Sequence, residues 1–103
     1  ITVTDQPPKT PTIKYAYKER KSLTLEWEKA TYASGYQIQY STDKNFKSGN
    51  KAVSITSAST VSKVIGSLTK GRTYYVRIRT YKTVGSSKYW SVWSAAKSVK
   101  IRK

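Results

Sequence analysis

The chain reads as an all-β domain, a seven-stranded antiparallel β-sandwich, on three observations. From Tyr74 to Tyr81 the residues alternate, with Tyr74, Val76 and Ile78 on one side and Tyr75, Arg77, Arg79 and Tyr81 on the other. A half-buried strand requires that period of two, because successive side chains leave opposite faces of the pleat. Just upstream, Leu68, Gly71 and Tyr74 have the spacing of a tyrosine corner, in which a tyrosine hydroxyl near the start of a strand reaches back to the upstream backbone. Short apolar-alternating runs also recur at regular intervals with turn residues between them. Their apolar side chains are weighted toward Val, Ile, Tyr and Trp, which suit a pleated surface.

Each element follows from the same alternation. Residues 1–8 read as a linker or the end of a preceding module, stiffened by Pro7 and Pro8, and the domain covers 9–103. A first strand is expected at 12–17. A second, at 22–27, sets Leu23, Leu25 and Trp27 against Thr24 and Glu26. A third, at 35–41, sets Tyr36, Ile38 and Tyr40 against Gln37 and Gln39. Shorter strands follow at 52–56, with Val53 and Ile55, and at 60–65. The sixth spans 73–82, and the seventh, at 97–101, turns Val99 and Ile101 inward. Turns fall at Ala33-Ser34-Gly35, Lys70-Gly71 and Gly85-Ser86-Ser87. The expected core is Leu23, Leu25, Trp27, Tyr36, Ile38, Tyr40, Val76 and Ile78.

With 103 residues the chain supports one core. It has no Cys, hence no disulfide, and no His, which removes the commonest general base and zinc ligand. No 18-residue apolar run spans a membrane. The net charge is +15, from 20 basic and 5 acidic residues. All five acids (Asp5, Glu19, Glu26, Glu28, Asp43) lie in the first 43 positions, and none occurs from Lys51 onward. The C-terminal half therefore carries a positive field that attracts polyanions. Glu26 and Glu28 flank Trp27, but a sandwich surface offers no cleft between them in which a glycosidase pair could work. No Gly-rich phosphate loop, metal-ligand cluster or nucleophile elbow is present. Enzymatic activity, a metal and a cofactor are not expected.

From about residue 9 to 103 the chain resembles the fibronectin type III family. The residues that carry the resemblance are Pro11, Trp27, Gly35-Tyr36-x-Ile38-x-Tyr40 and Leu68-x-x-Gly71-x-x-Tyr74-x-Val76-x-Ile78. It implies an immunoglobulin-like sandwich with its core tryptophan on the second strand and no disulfide. GYQIQYSTDKNF, YYVRIRTYK and KYWSVWS further resemble the Lys-rich modules of this family in surface proteins of Gram-positive Firmicutes. That likeness implies a secreted or wall-attached parent protein with tandem sandwiches. Trp90-Ser91-Val92-Trp93-Ser94 is also similar, letter for letter, to the WSxWS box of animal class I cytokine receptors. The similarity implies that Arg77 and Arg79 stack against Trp90 and Trp93. The receptors' paired cysteines are absent, so a cytokine receptor is not the reading.

The function expected is therefore a non-catalytic module of a multidomain bacterial surface or secreted protein. It would act as a monomeric spacer between neighbouring domains, with weak attraction to anionic wall polymer or glycan. The alternative is an adhesin or carbohydrate-binding accessory domain, such as one beside a hydrolase. The Arg77, Arg79, Trp90 and Trp93 cluster is read as a structural cation–π ladder with a possible binding surface. Lys97, Lys100, Arg102 and Lys103 are possible polyanion contacts, or gatekeepers that discourage edge pairing. No element of groove-reading size points to sequence-specific nucleic-acid recognition.

Overall fold

A computed structural model describes residues 9–30 and 33–101. The expected linker (1–8), Arg102 and Lys103 lie outside the described residues. Among the described residues eight strands form two antiparallel sheets: β1 (Ile13–Glu19), β2 (Ser22–Trp27), β3 (Gly35–Ser41), β4 (Lys51–Ile55), β5 (Ser62–Ile65), β6 (Thr73–Val84), β7 (Ser87–Trp90) and β8 (Lys97–Lys100). The smaller sheet has the order β1-β2-β5. The larger runs β4-β3-β6-β7, with β8 also paired to β6. The sandwich expected from the alternation is the fold observed.

The additional strand, β7, is the departure from expectation. β6 is 12 residues long, and one edge of it serves two strands. Its distal end turns through Gly85-Ser86 into β7, with Val84 opposite Ser87 and Tyr81 opposite Trp90. Gly85 at φ 62° takes the first central position of this two-residue turn, where a positive φ matches the strand twist. The chain then departs from strand geometry over residues 91–96 and resumes as β8, with Val76 opposite Lys97 and Thr73 opposite Lys100.

The core lies between the inward faces. Leu23, Leu25, Trp27, Tyr36, Ile38, Val76 and Ile78 are each buried, joined by Ile13, Ile55, Ile65, Leu68, Val99 and Ile101, while Tyr40 and Tyr74 pack against them partly buried. The Trp27 and Tyr36 rings meet at 5.3 Å, tilted by 58°, and so link the two sheets. The Tyr36 hydroxyl accepts from the Ala30 N–H (3.0 Å) and donates to the Ala58 carbonyl (2.9 Å), tying two loops to the core. The Trp27 Nε1–H is buried without an acceptor among the described residues.

Gly35 opens β3 where no side chain fits. A Cβ there would strike the Ile55 carbonyl oxygen and lie 2.6 Å from the Tyr81 hydroxyl. Backbone oxygen cannot swing aside as a flexible side chain can. Gly35→Ala is expected to destabilise the domain by about 1–3 kcal/mol, read as a lowered midpoint in urea unfolding. An unchanged midpoint would mean that the β3–β4 edge yields.

Candidate functional site

The outward face of the larger sheet is built by two matched alternations. Gln37 pairs with Arg79 and Gln39 with Arg77 across the β3–β6 ladder. Arg77 Nε donates to Gln39 Oε1 at 2.7 Å, and Arg79 donates through Nε (2.9 Å) and a terminal nitrogen (2.7 Å) to Gln37 Oε1. These bonds tie each guanidinium to the neighbouring strand on this face, where it meets aromatic rings. Arg79 lies 3.8 Å from the Trp90 ring centroid and 4.4 Å from that of Trp93. Arg77 lies 4.5 Å from Trp93 and 4.1 Å from Phe46. Lys88 extends the stack, with Nζ 4.6 Å from the Tyr81 ring and 5.5 Å from Trp90. Each such contact is worth about 0.5–2 kcal/mol, depending on how far water is excluded.

Ser91 and Ser94 hold the tryptophans in place. The Ser91 N–H donates to the Thr80 carbonyl and its Oγ accepts from the Thr80 N–H, both at 3.0 Å. Ser94 repeats the arrangement two residues along β6, donating to the Ile78 carbonyl (2.8 Å) and accepting from the Ile78 N–H (3.1 Å). Each serine therefore supplies both halves of a ladder rung by itself, one of them from its side chain. The backbone can turn away from strand geometry while the edge of β6 stays satisfied. The two rungs set Trp90 and Trp93 over β6.

Phe46 was not among the expected site residues. It sits in the β3–β4 loop at φ 55°, a left-handed conformation rare for a bulky residue, with its side chain buried. The loop is knit tightly enough to hold it there. Asp43 accepts the Asn45 N–H (2.9 Å) and the Lys47 N–H (3.0 Å), Ser41 Oγ donates to the Ser48 carbonyl (2.9 Å), and the Asn50 side-chain amide donates to the Phe46 carbonyl. The Asn45 N–H, foremost, holds the Asp43 carboxyl below its usual range. Gln37, Gln39 and Lys88 were likewise missed. The signal available for the glutamines was their two-residue spacing, which matches Arg77-x-Arg79 on a neighbouring strand.

Electrostatically the site has one sign. Desolvation lowers the pKa of both guanidiniums, and Arg77 lowers that of Arg79 further. Both remain cationic, since arginine stays protonated in proteins. No strand residue on this face carries a carboxylate, and Asp43 turns its own onto its loop backbone. Among the described residues no cluster of His, Cys, Asp or Glu could hold a metal ion.

The other expected residues lie elsewhere. At the corner, the Thr69 N–H donates to the Tyr74 hydroxyl at 3.0 Å, Leu68 is buried, and Gly71 at φ 77° donates its N–H to the Ile101 carbonyl. Burial raises the pKa of Tyr74, but the hydrogen bonds of Thr69 and the charge of Arg72 bring it below the ordinary value. Lys97 and Lys100 are exposed on β8. Lys97 lines a cleft of about 460 Å³ between Thr10–Ile13 and the segment Val92–Ala95, whereas Lys100 lies on the ladder's face, opposite Thr73. On the outer face of the smaller sheet, Tyr15 and Tyr17 stack at 5.6 Å and are 52% and 46% exposed.

Known proteins agree with this architecture. No curated protein sequence matches the chain. Among solved structures, the FN1–FN3 domains of chicken CNTN1 superpose with a TM-score of 0.78 at 18% identity, covering 94% of this chain. The chain spans 32% of that structure. The fn3 domain of human contactin 1 gives 0.72 at 16% identity, covering 95% of this chain and 78% of that one. A β-1,2-glucanase from Parabacteroides distasonis gives 0.73 at 13% identity, covering 95% of this chain and 14% of the enzyme. At these identities the structures share the fold. The family model for the fibronectin type III domain matches residues 6–97, nearly the whole chain. Together with the two-sheet topology and the tyrosine corner, this match places the chain in the fibronectin type III family.

Proposed function

We propose that the chain is a non-catalytic module of a multidomain bacterial surface or secreted protein, spacing its neighbours and resting weakly on anionic wall polymer. The observation that carries the reading is the segregation of charge between the two outer faces. The strands of the larger sheet present Arg77, Arg79, Lys88 and Lys100 without a carboxylate, while Glu19 and Glu26 lie on the outer face of the smaller sheet. A one-signed face attracts polyanions, and salt weakens that attraction.

The spacer role is supported by where the chain enters and leaves. The Thr80 hydroxyl donates to the Lys9 carbonyl (2.7 Å), and the Ile101 N–H donates to the Arg72 carbonyl (2.9 Å). Residues 72 and 80 are separated by about 26 Å at the ~3.3 Å rise of a strand residue. Modules joined through these points would form an elongated array. The domain itself measures 54 × 26 × 20 Å.

A second reading, an accessory carbohydrate-binding domain, is favoured by the exposed Tyr15 and Tyr17 pair, and a sandwich of the same fold forms part of the β-1,2-glucanase. One experiment separates the two. The domain is incubated with Gram-positive cell walls, intact or stripped of anionic polymer, and with a neutral β-glucan, at low and physiological salt. Retention on intact walls that falls with salt and with stripping is expected. Salt-independent retention on the neutral glucan, lost in Tyr15→Ala, would overturn the polymer reading in favour of the second.

A further inference from the structure

We propose that the edges of the Arg77 and Arg79 guanidiniums form the specific contact of this face. They would receive the sulfate or phosphate groups of a linear anionic polymer that is not a nucleic acid. The proposal rests on the polyanion reading above and assigns it a site.

Donor accounting leads there. A guanidinium carries five N–H donors. Among the described residues, Arg77 uses one of them, on Gln39, and Arg79 uses two, on Gln37. The remaining donors have no acceptor among the described residues, and both side chains are partly exposed. Ring stacking occupies the faces of the guanidinium planes, so the unused N–H groups lie at their edges. Paired, charge-assisted N–H donors in a fixed plane suit a tetrahedral oxyanion. An anion bridging the two would also relieve the repulsion that Arg77 exerts on Arg79.

The same stacking chooses the class of polymer. Trp93 has Arg77 and Arg79 within stacking distance, and Trp90 has Arg79 and Lys88 beside it. Phe46 is buried against Arg77. The aromatic surface that single-stranded nucleic acid or a neutral sugar would stack on is already engaged. Recognition is left to the guanidinium edges. The cations are also arranged in a line. Along the outward positions of β6 come Thr83 opposite Lys88, then Arg79, Arg77, and Thr73 opposite Lys100. That track is about 33 Å long at ~3.3 Å per strand residue. A linear polymer can follow it, with the arginine pair at the centre and lysines at either end.

The test titrates the ¹⁵N-labelled domain with dextran sulfate, linear polyphosphate, unsulfated dextran and a twenty-residue oligothymidine. It follows the Arg Nε–H and Trp Nε1–H signals and measures affinity across a salt series. Both anionic polymers are expected to move the Arg77 and Arg79 signals most, and the difference between them tells sulfate from phosphate as the preferred group. In the Arg77→Lys/Arg79→Lys variant the affinity is expected to fall about tenfold, with the salt slope unchanged because the charge is retained. If the polymers bind but the wild-type arginine signals stay still, or the folded variant binds equally well, the proposal falls while the wider polyanion reading stands. Should the variant not fold, the wild-type signal map decides. No binding of either anionic polymer at low salt would remove both. Tighter binding of oligothymidine, with the tryptophan signals moving most, would overturn the choice of polymer.

Discussion

Trp27→Ala is expected to cost about 3–5 kcal/mol, a large part of the ~5–15 kcal/mol that holds a typical domain folded. The ring is 1% exposed and meets Tyr36 from the opposite sheet, so its removal leaves a cavity at an aromatic contact that links the two layers. The surrounding backbone cannot close in, because β2 is paired on both sides, with β1 and with β5. Equilibrium unfolding in urea is the measurement, with the midpoint moving far toward zero denaturant. Trp27→Phe sharpens the prediction. A buried indole N–H normally has an acceptor, which phenylalanine would orphan, but the Trp27 N–H has none among the described residues. Phenylalanine should therefore lose packing volume alone, about 1–2 kcal/mol. If it proves as damaging as alanine, shape and not volume governs this position.

How much of the molecule could be read in advance follows from where periodicity exists. β2 and β3 were expected at their observed bounds because Leu23, Leu25 and Trp27, and Tyr36 and Ile38, alternate cleanly between turn residues. β1 was placed at 12–17 but is Ile13–Glu19, with an irregular register between Ile13 and Tyr15 that breaks the pattern. β7 was missed for a different reason. Its four residues end on the first tryptophan of the Trp-Ser run, whose serines complete ladder rungs with their hydroxyls, so β7 opens an edge that no hydrophobic pattern announces. The Gly85-Ser86 turn between Thr83 and Lys88 was the available sign of a hairpin.

The site divides along the same line. Arg77, Arg79, Trp90 and Trp93 were singled out through the resemblance of Trp90–Ser94 to the WSxWS box, strand alternation by itself setting only the two arginines on one face. Phe46 could not be, since it comes from a loop 31 residues upstream of Arg77 and depends on a left-handed backbone set by side-chain to main-chain bonds. Loop geometry of that kind leaves no period in the sequence. Gln37 and Gln39 looked like ordinary outward residues, and only the register of β3 against β6 makes them the acceptors that aim the guanidiniums.

That register makes Trp93 the residue on which the stack depends. Its ring lies 4.5 Å from Arg77 and 4.4 Å from Arg79, so Trp93→Ala removes two cation–π contacts together and leaves two like charges facing each other across the gap. At about 0.5–2 kcal/mol per contact, with the lost burial of a partly exposed ring added, the expected cost is about 2–4 kcal/mol. A purely packing role predicts the same loss with or without the arginine charge. The ladder predicts that Trp93→Ala costs markedly less once Arg77 is Gln, and a double-mutant cycle in urea measures that coupling. Coupling near zero would reduce the ladder to adjacency. Coupling of about 1 kcal/mol or more would mean that the tryptophans hold the guanidiniums in the place from which the proposed anion contact is made. Stability of the face and its capacity to hold an anion would then rest on the same ring.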